Sequence, residues 1–356
     1  MRTRPRSRAA EAAPLLRISS PESLFEAIPY LLGFHPEASL VLVGLDDSQL
    51  VVTVRIDLAD LADPVAARLL PDAIAAMVRG GASSLVGAVY LDDELNAAVG
   101  EQRRQSWVDA LADLTGQAAA AGCRVLDVFV AHRGQWWSGL CPPSTDTGGH
   151  VRSRRLLPNA VSDVSAAATY AGLVALPDRA ALAAVLDPAG PEHRAGLEPL
   201  IADAEASAVQ AVLDGGASRA DRSLKRAIFA AARSSEHTAE TPWSPPTDDE
   251  VARFGVALSA VGMRDAVWMA IDDRRLDGRA LWRDLSRRLP TPYDAAPLFL
   301  FGWCSWRAGN GALASIAAQR AIESDPGYSA ADILLAALSR GVDPRRLPRL
   351  RTPRSG

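Results

Sequence analysis

The chain has 356 residues, 48% hydrophobic and 22% charged, the balance of a folded protein long enough for two domains. Its formal net charge of −4 gives the body no general electrostatic drive toward nucleic acid or an anionic membrane, and argues against both as partners. Cys123, Cys141 and Cys304 lie far apart, without metal-ligand spacing, and an odd count argues against a secreted disulfide framework.

Residues 1–13 are basic and read as a disordered arm, with no apolar stretch behind them to make a signal peptide. No apolar run reaches the roughly 18–20 residues that a membrane-spanning helix needs, so a cytoplasmic location is expected by elimination. Residues 14–150 read as an α/β domain. Its first helix has Ser20 as N-cap, Pro21 at the first helical position and Gly33 at the left-handed C-terminal position. Leu40 to Leu45 is a continuous apolar run, as expected of a strand covered on both faces. A turn at Asp46–Gln49 returns the chain antiparallel into Leu50–Leu58. There Val52, Val54, Ile56 and Leu58 alternate with Thr53, Arg55 and Asp57. A helix (Pro64–Arg79), a strand (Ser84–Leu91), an Ala-rich helix (Glu101–Ala121) and a strand (Arg124–His132) follow. A hairpin strand, Gly134–Leu140, ends the series. Strands alternating with helices predict parallel crossovers, hence a mixed, largely parallel sheet in three layers. Val41, Val43, Val54, Val89 and Val128 are its expected core.

Several of these segments carry a family resemblance. Arg17-Ile18-Ser19-Ser20-Pro21, then Ile28-Pro29-Tyr30-Leu31-Leu32-Gly33-Phe34-His35-Pro36, then Ser39-Leu40-Val41-Leu42-Val43-Gly44 resemble the opening of an actinobacterial family known as domain of unknown function 4192. Arg55 and Asp57 match its Arg-x-Asp, and Cys141-Pro142-Pro143 matches its Cys-Pro-Pro. The resemblance covers nearly the whole chain and implies no established activity. Only Cys141 stands where the family often has further cysteines, which weakens a metal or redox reading of that loop.

After a Pro/Gly/Ser loop at Cys141–Val151 the strand signals stop. Residues 151–239 read as a helical segment, with helices at Ser162–Val174, Asp178–Leu186 and Glu192–Leu213. Residues 240–249 read as a Pro-rich linker, 250–344 as a helical domain and 345–356 as a basic tail. Gly302, Gly309, Ala314, Ala321 and Pro326 fall at the small and turn positions of one tetratricopeptide-like unit, where two antiparallel helices must touch closely. A helical hairpin packed on its neighbours and a partner-binding repeat surface remain equal readings of it.

Polar residues gather at the carboxyl ends of three predicted strands: Asp57, then Asp92-Asp93, then His132-Arg133. Ligands of open α/β sheets bind at such ends. Carboxylates there can hold a divalent cation, and Arg55 or Arg133 can face a phosphate. The plainer reading is that strand ends are where polar residues emerge into water, and that Arg55 and Asp57 form a structural salt bridge. His35 is a candidate base, set against a ring capping turn carbonyls. The sequence contains no phosphate-binding loop, dinucleotide fingerprint or nucleophile elbow, so no cofactor is identified. The expectation is a binding or scaffold protein that uses its C-terminal helices for a protein partner. The alternative is a small-molecule or metal-dependent enzyme or sensor at the strand-end cleft.

Overall fold

The computed structural model describes residues 18–61, 63, 68–91, 113–140, 154–156, 162–236, 243–345 and 347–348. The chain divides into two compact units, Met1–Leu182 and Ala183–Gly356.

The first unit opens with helix α1 (Pro21–Leu32). Ser20 accepts from the Ser23 amide, and Ser23 reciprocates to the Ser20 amide, so two orphan donors of the first turn are satisfied. Gly33 ends the helix with φ 83°. The strands are β1 (Ser39–Asp46), β2 (Gln49–Asp57), β3 (Ser84–Tyr90), β4 (Arg124–His132), β5 (Gln135–Ser138) and the two-residue β6 (Arg154–Arg155). Their order across the sheet is β2-β1-β3-β4-β5-β6.

This order corrects the expectation of a largely parallel sheet. Among the described strands only β3 and β4 pair in parallel; every other neighbouring pair is antiparallel. The inference from crossovers was sound in direction and wrong in adjacency. The helical crossover does return β3 in the same sense as β2, but β1 lies between them and opposes both. The strand signals also do not stop at Cys141, because Arg154–Arg155 adds an edge strand.

Alternation along the strands assigns each side chain to a face. On one face Leu40, Leu42, Ile56, Leu85, Val89, Val128 and Val130 join a core with Leu70, Ile74 and Met77 of α3 (Leu69–Arg79) and with Leu114 and Ala118 of helix α4 (113–120). β2 runs directly into a short turn of helix, α2 (Leu58–Leu61). Space is so tight here that a Cβ on Gly44 would lie 3.1 Å from Met77 Cε of α3 and 3.0 Å from Ala82 Cβ, just beyond that helix, and from Val52 Cγ1 of β2. That is why a glycine interrupts the apolar run of β1. On the opposite face Val41, Val43 and Ala88 are fully buried, and Phe25 of α1 meets Tyr90 edge-on at 5.5 Å. Helix α5 (Asp163–Tyr170), capped by Ser162, packs on α1. Four of the five expected core valines are buried; Val54 is half-buried because β2 is the sheet edge.

The boundary between units falls inside helix α6 (Arg179–Ala184). The second unit is helical. It contains α7 (Pro191–Leu213), α8 (Ala217–Ser234), α9 (Asp248–Ser259), α10 (Val261–Asp272), α11 (Arg279–Arg288), α12 (Ala295–Arg307), α13 (Gly311–Ser324) and α14 (Ser329–Ser339). Every residue of α12 from Ala295 to Trp306 is buried, so a helix apolar all round becomes the centre of the unit. Trp268, Phe299, Trp303 and Trp306 form a chain of ring contacts along it. α13 crosses α12 at Gly302, where a Cβ would sit 3.2 Å from the Ala314 carbonyl and from Ala317 Cβ. Ala314 and Ala321 are fully buried at the same crossing, and α14 packs on both helices. No single described helix is long and apolar enough to cross a membrane.

Candidate functional site

The carboxyl edge of the sheet follows from strand register. Asp57 pairs with Ser39, Ser39 with Tyr90, and Tyr90 with Ala131. Asp57 and His132 therefore lie at the same end of the sheet. They do not meet: β1 and β3 stand between their strands, and His132, one residue past Ala131, projects from the opposite face. Asp92 and Asp93 lie outside the described residues. Arg133, at φ 47°, forms the β4–β5 turn with Gly134 and is exposed. Among the described residues no group of three or more His, Cys, Asp or Glu side chains is arranged to hold a metal.

What the edge does assemble is a hydrogen-bonded knot around Arg55. Its guanidinium grips Asp57 with both terminal nitrogens, at 2.6 and 3.1 Å. Nε donates to Ser39 Oγ at 3.1 Å, and Nη2 also donates to the Glu37 carbonyl at 3.3 Å. Ser39 Oγ in turn donates to the same carbonyl at 2.5 Å. The Arg55 guanidinium carbon lies 5.7 Å from the Phe34 ring centroid. The knot ties the edge strand to the α1–β1 turn. Ser39 and Phe34 belong to it although only Arg55 and Asp57 stood out in the sequence; their signal was their place in the family-like opening motif.

His35 is exposed and its ring makes no hydrogen bond among the described residues, so the expected capping of turn carbonyls by the imidazole is not what holds this turn. Its backbone amide does so, donating to Leu176 at 2.9 Å, while the Leu176 amide donates to Gly33 at 2.8 Å. Tyr90 is half-buried at this edge with its hydroxyl out of reach of solvent, and among the described residues that hydroxyl has no hydrogen-bond partner. Burial pushes its phenol far above the ordinary range.

The second unit contains an open cleft of about 490 Å³, bordered by Glu236, Asp277, Arg279, Arg283 and Asn310, with Phe301 and Leu313 as apolar lining. Several bonds fix its wall. The Asp277 amide donates to Glu236 at 2.6 Å, the Trp282 indole donates to the Asp277 carbonyl at 2.7 Å, and Arg279 pairs with Asp277 at 2.9 Å. Arg283 is exposed and forms no ion pair among the described residues. The nearby thiol, Cys304, is buried and donates to the Asp277 carbonyl at 3.3 Å. Desolvation, then the Asp277 carboxylate, raise its pKa well above the ordinary value, so it is held protonated rather than as a nucleophilic thiolate. The cleft thus offers charge, an amide and apolar surface. Nothing in the sequence marked it, because its residues come from helices far apart in the chain.

No curated protein and no solved structure matches the chain. One family profile does, over residues 21–345. That span takes in the α1–β1 motif, the Arg55 knot and the helical unit, and on it the chain belongs to the family described as domain of unknown function DUF4192.

Proposed function

We propose that this protein is a binding or scaffold protein whose helical unit holds a protein partner. The observation that carries the reading is the α8–α11–α12 cleft, which combines the exposed Arg283 guanidinium with the amide of Asn310 and an apolar lining. Such a mixture suits a peptide segment: the apolar lining takes a side chain, and the charged rim fixes its direction. The chemically inert Cys304 beside it supports binding over catalysis. The α12–α13 hairpin is read as one tetratricopeptide-like unit, supported by the close crossing at Gly302, Ala314 and Ala321. On this reading the protein acts in the cytoplasm, and its net charge of −4 disfavours nucleic acid as the partner. Panning a displayed peptide library on the full chain tests it. Binders are expected whose retention is lost on Arg283→Glu and kept on Arg68→Glu in the other unit. Binders indifferent to Arg283→Glu would remove the cleft from the account.

A second reading has its own support. Asp57, Tyr90 and His132 lie at one edge of the sheet, and the buried hydroxyl of Tyr90 has no partner among the described residues. A small-molecule or metal-dependent enzyme or sensor would use that edge. Divalent cations and nucleotides, added singly, would then raise the melting temperature of the wild type and not of His132→Ala.

A further inference from the structure

Helix α8 carries Arg219, Arg222, Lys225, Arg226 and Arg233 against one acid, Asp221. It packs inward through Ile228, Ala232 and, just past its end, Ser235. At the helical repeat the four arginines fall within about 60° of arc on the other side, and all four are exposed. The row they make runs about 21 Å along the helix. Phe229 lies beside it, half-buried, with Lys225 Nζ 5.7 Å and Arg233 Cζ 5.8 Å from the ring centroid.

The rest of the second unit treats arginine differently. Arg253, Arg264, Arg279 and Arg320 each hold an aspartate, at 2.6, 2.7, 2.9 and 2.8 Å. Among the described residues no cation of α8 holds one, and Arg226 Nε donates to the Arg222 carbonyl of its own helix at 3.3 Å. The row also works against the helix that carries it. Arg222 has like charges at Arg219, Lys225 and Arg226, three or four residues away, and each such pair is repulsive. Arg219 stands in the first turn, where the helix dipole disfavours a cation and no acid offsets it. An anion laid along the row relieves both costs. The form of the row narrows the choice of anion. A nucleic acid duplex is met by basic residues spread over a broad face, not by one narrow row on a chain of net charge −4. A bilayer surface takes up apolar side chains set among the basic ones, and the row contains none. An extended peptide rises about 3.3 Å per residue, so about six residues span the row. Its carboxylates can then take two-pronged bonds from the guanidiniums, with Phe229 left for an apolar side chain.

We infer that the outer face of α8 binds an acidic peptide segment of a partner protein, at a surface separate from the cleft, so that it stands or falls apart from the cleft reading. Fluorescence anisotropy of a labelled oligoglutamate peptide, titrated with the full-length protein, tests it. Saturable binding is expected, weakening as salt is raised. Arg222→Glu with Arg226→Glu is expected to raise the dissociation constant at least about tenfold, with an unchanged melting profile because both positions are exposed. Arg68→Glu with Arg79→Glu, an equal change of charge at exposed positions of the first unit, is expected to leave binding unaltered. Lys225, the chain's single lysine, supplies a second measurement: a carbodiimide is expected to join its amine to a carboxylate of the bound peptide. A peptide that shows no saturable binding overturns the proposal. So does binding weakened equally by the two double variants, or cross-linking confined to the N-terminal amine. Tighter binding of a DNA duplex or of phosphatidylserine vesicles, with the same dependence on Arg222 and Arg226, overturns it in favour of that anion.

Discussion

Arg307 and Asp272 close the helical unit from inside. Arg307, at the end of α12, donates through Nε at 2.7 Å and through Nη2 to one oxygen of Asp272, the last residue of α10. The Asp272 side chain is fully buried, and the Trp303 indole donates to the same oxygen at 3.3 Å. The guanidinium lies 5.4 Å from the Trp303 ring and 5.9 Å from the Trp306 ring. A carboxylate at a helix C-terminus is unfavourably placed against the helix dipole, so here the arginine offsets both burial and dipole.

Removing one member of such a pair strands the other. Arg307→Ala is expected to cost about 3–5 kcal/mol, read as a shift of the urea midpoint. Arg307→Lys keeps the charge but loses the two-pronged geometry and the ring stacking, and should recover less than half of the loss. A lysine variant as stable as wild type would show that charge alone matters at this position.

Gly302 should tolerate nothing larger than alanine. A Cβ there meets a backbone carbonyl and Ala317 at 3.2 Å, so α13 must retreat to admit it. Gly302→Ala gains helix propensity and loses packing, for a net change within about 1 kcal/mol. Gly302→Leu should cost several times that, about 3 kcal/mol or more. Equal stability of the two variants by thermal unfolding would mean the crossing is looser than these distances imply.

The Arg55 knot gives a graded expectation. Asp57 is about half exposed, so Asp57→Asn should cost under about 1 kcal/mol. Arg55→Ala releases Ser39 Oγ and the Glu37 carbonyl as well as Asp57, and should cost about 1–3 kcal/mol. Amide exchange should rise in β2 and residues 34–39 together in the arginine variant, because the knot joins them. A rise confined to β2 would contradict that joint role.

How much was legible in the sequence follows from how local each signal is. The Ser20 cap, Gly33, the apolar β1 run and the alternation in β2 act within a few residues, and each is found where its chemistry predicts. Sheet adjacency is not local: no residue of β3 records that β1, rather than β2, will be its neighbour. The Arg55–Asp57 pair was readable because two residues on one strand share a face. Its partners Ser39 and Glu37 came from another element. Asp272 and Arg307 are separated by a whole helix, and the cleft residues by more, so nothing in their spacing pointed to a pair or a cavity. In α7 the spacing of Val209, Val212 and Leu213 is that of any helical stripe, and only the fold reveals that they are exposed.

The last prediction concerns Asp294, beside the cis peptide preceding Pro292 at the start of α12. The carboxyl is mostly buried, and desolvation raises its pKa above the ordinary aspartate value; the Ser324 hydroxyl, which donates to it, and the nearby Arg194 charge counter this only in part. The folded state therefore holds this proton more tightly than the unfolded chain does. The sign follows: its contribution to stability is fully present below the unfolded pKa, where both states are protonated, and is lost as pH rises through the folded pKa. Asp294→Asn keeps a hydrogen-bonding group that cannot ionise and should abolish that part of the pH dependence. The measurement is the difference in unfolding free energy between wild type and Asp294→Asn, followed from pH 4 upward. The variant is expected to gain on the wild type as pH increases and then to run parallel once Asp294 is ionised in both states. A gap that closes with rising pH would mean that Ser324 and Arg194 favour the carboxylate more than burial opposes it.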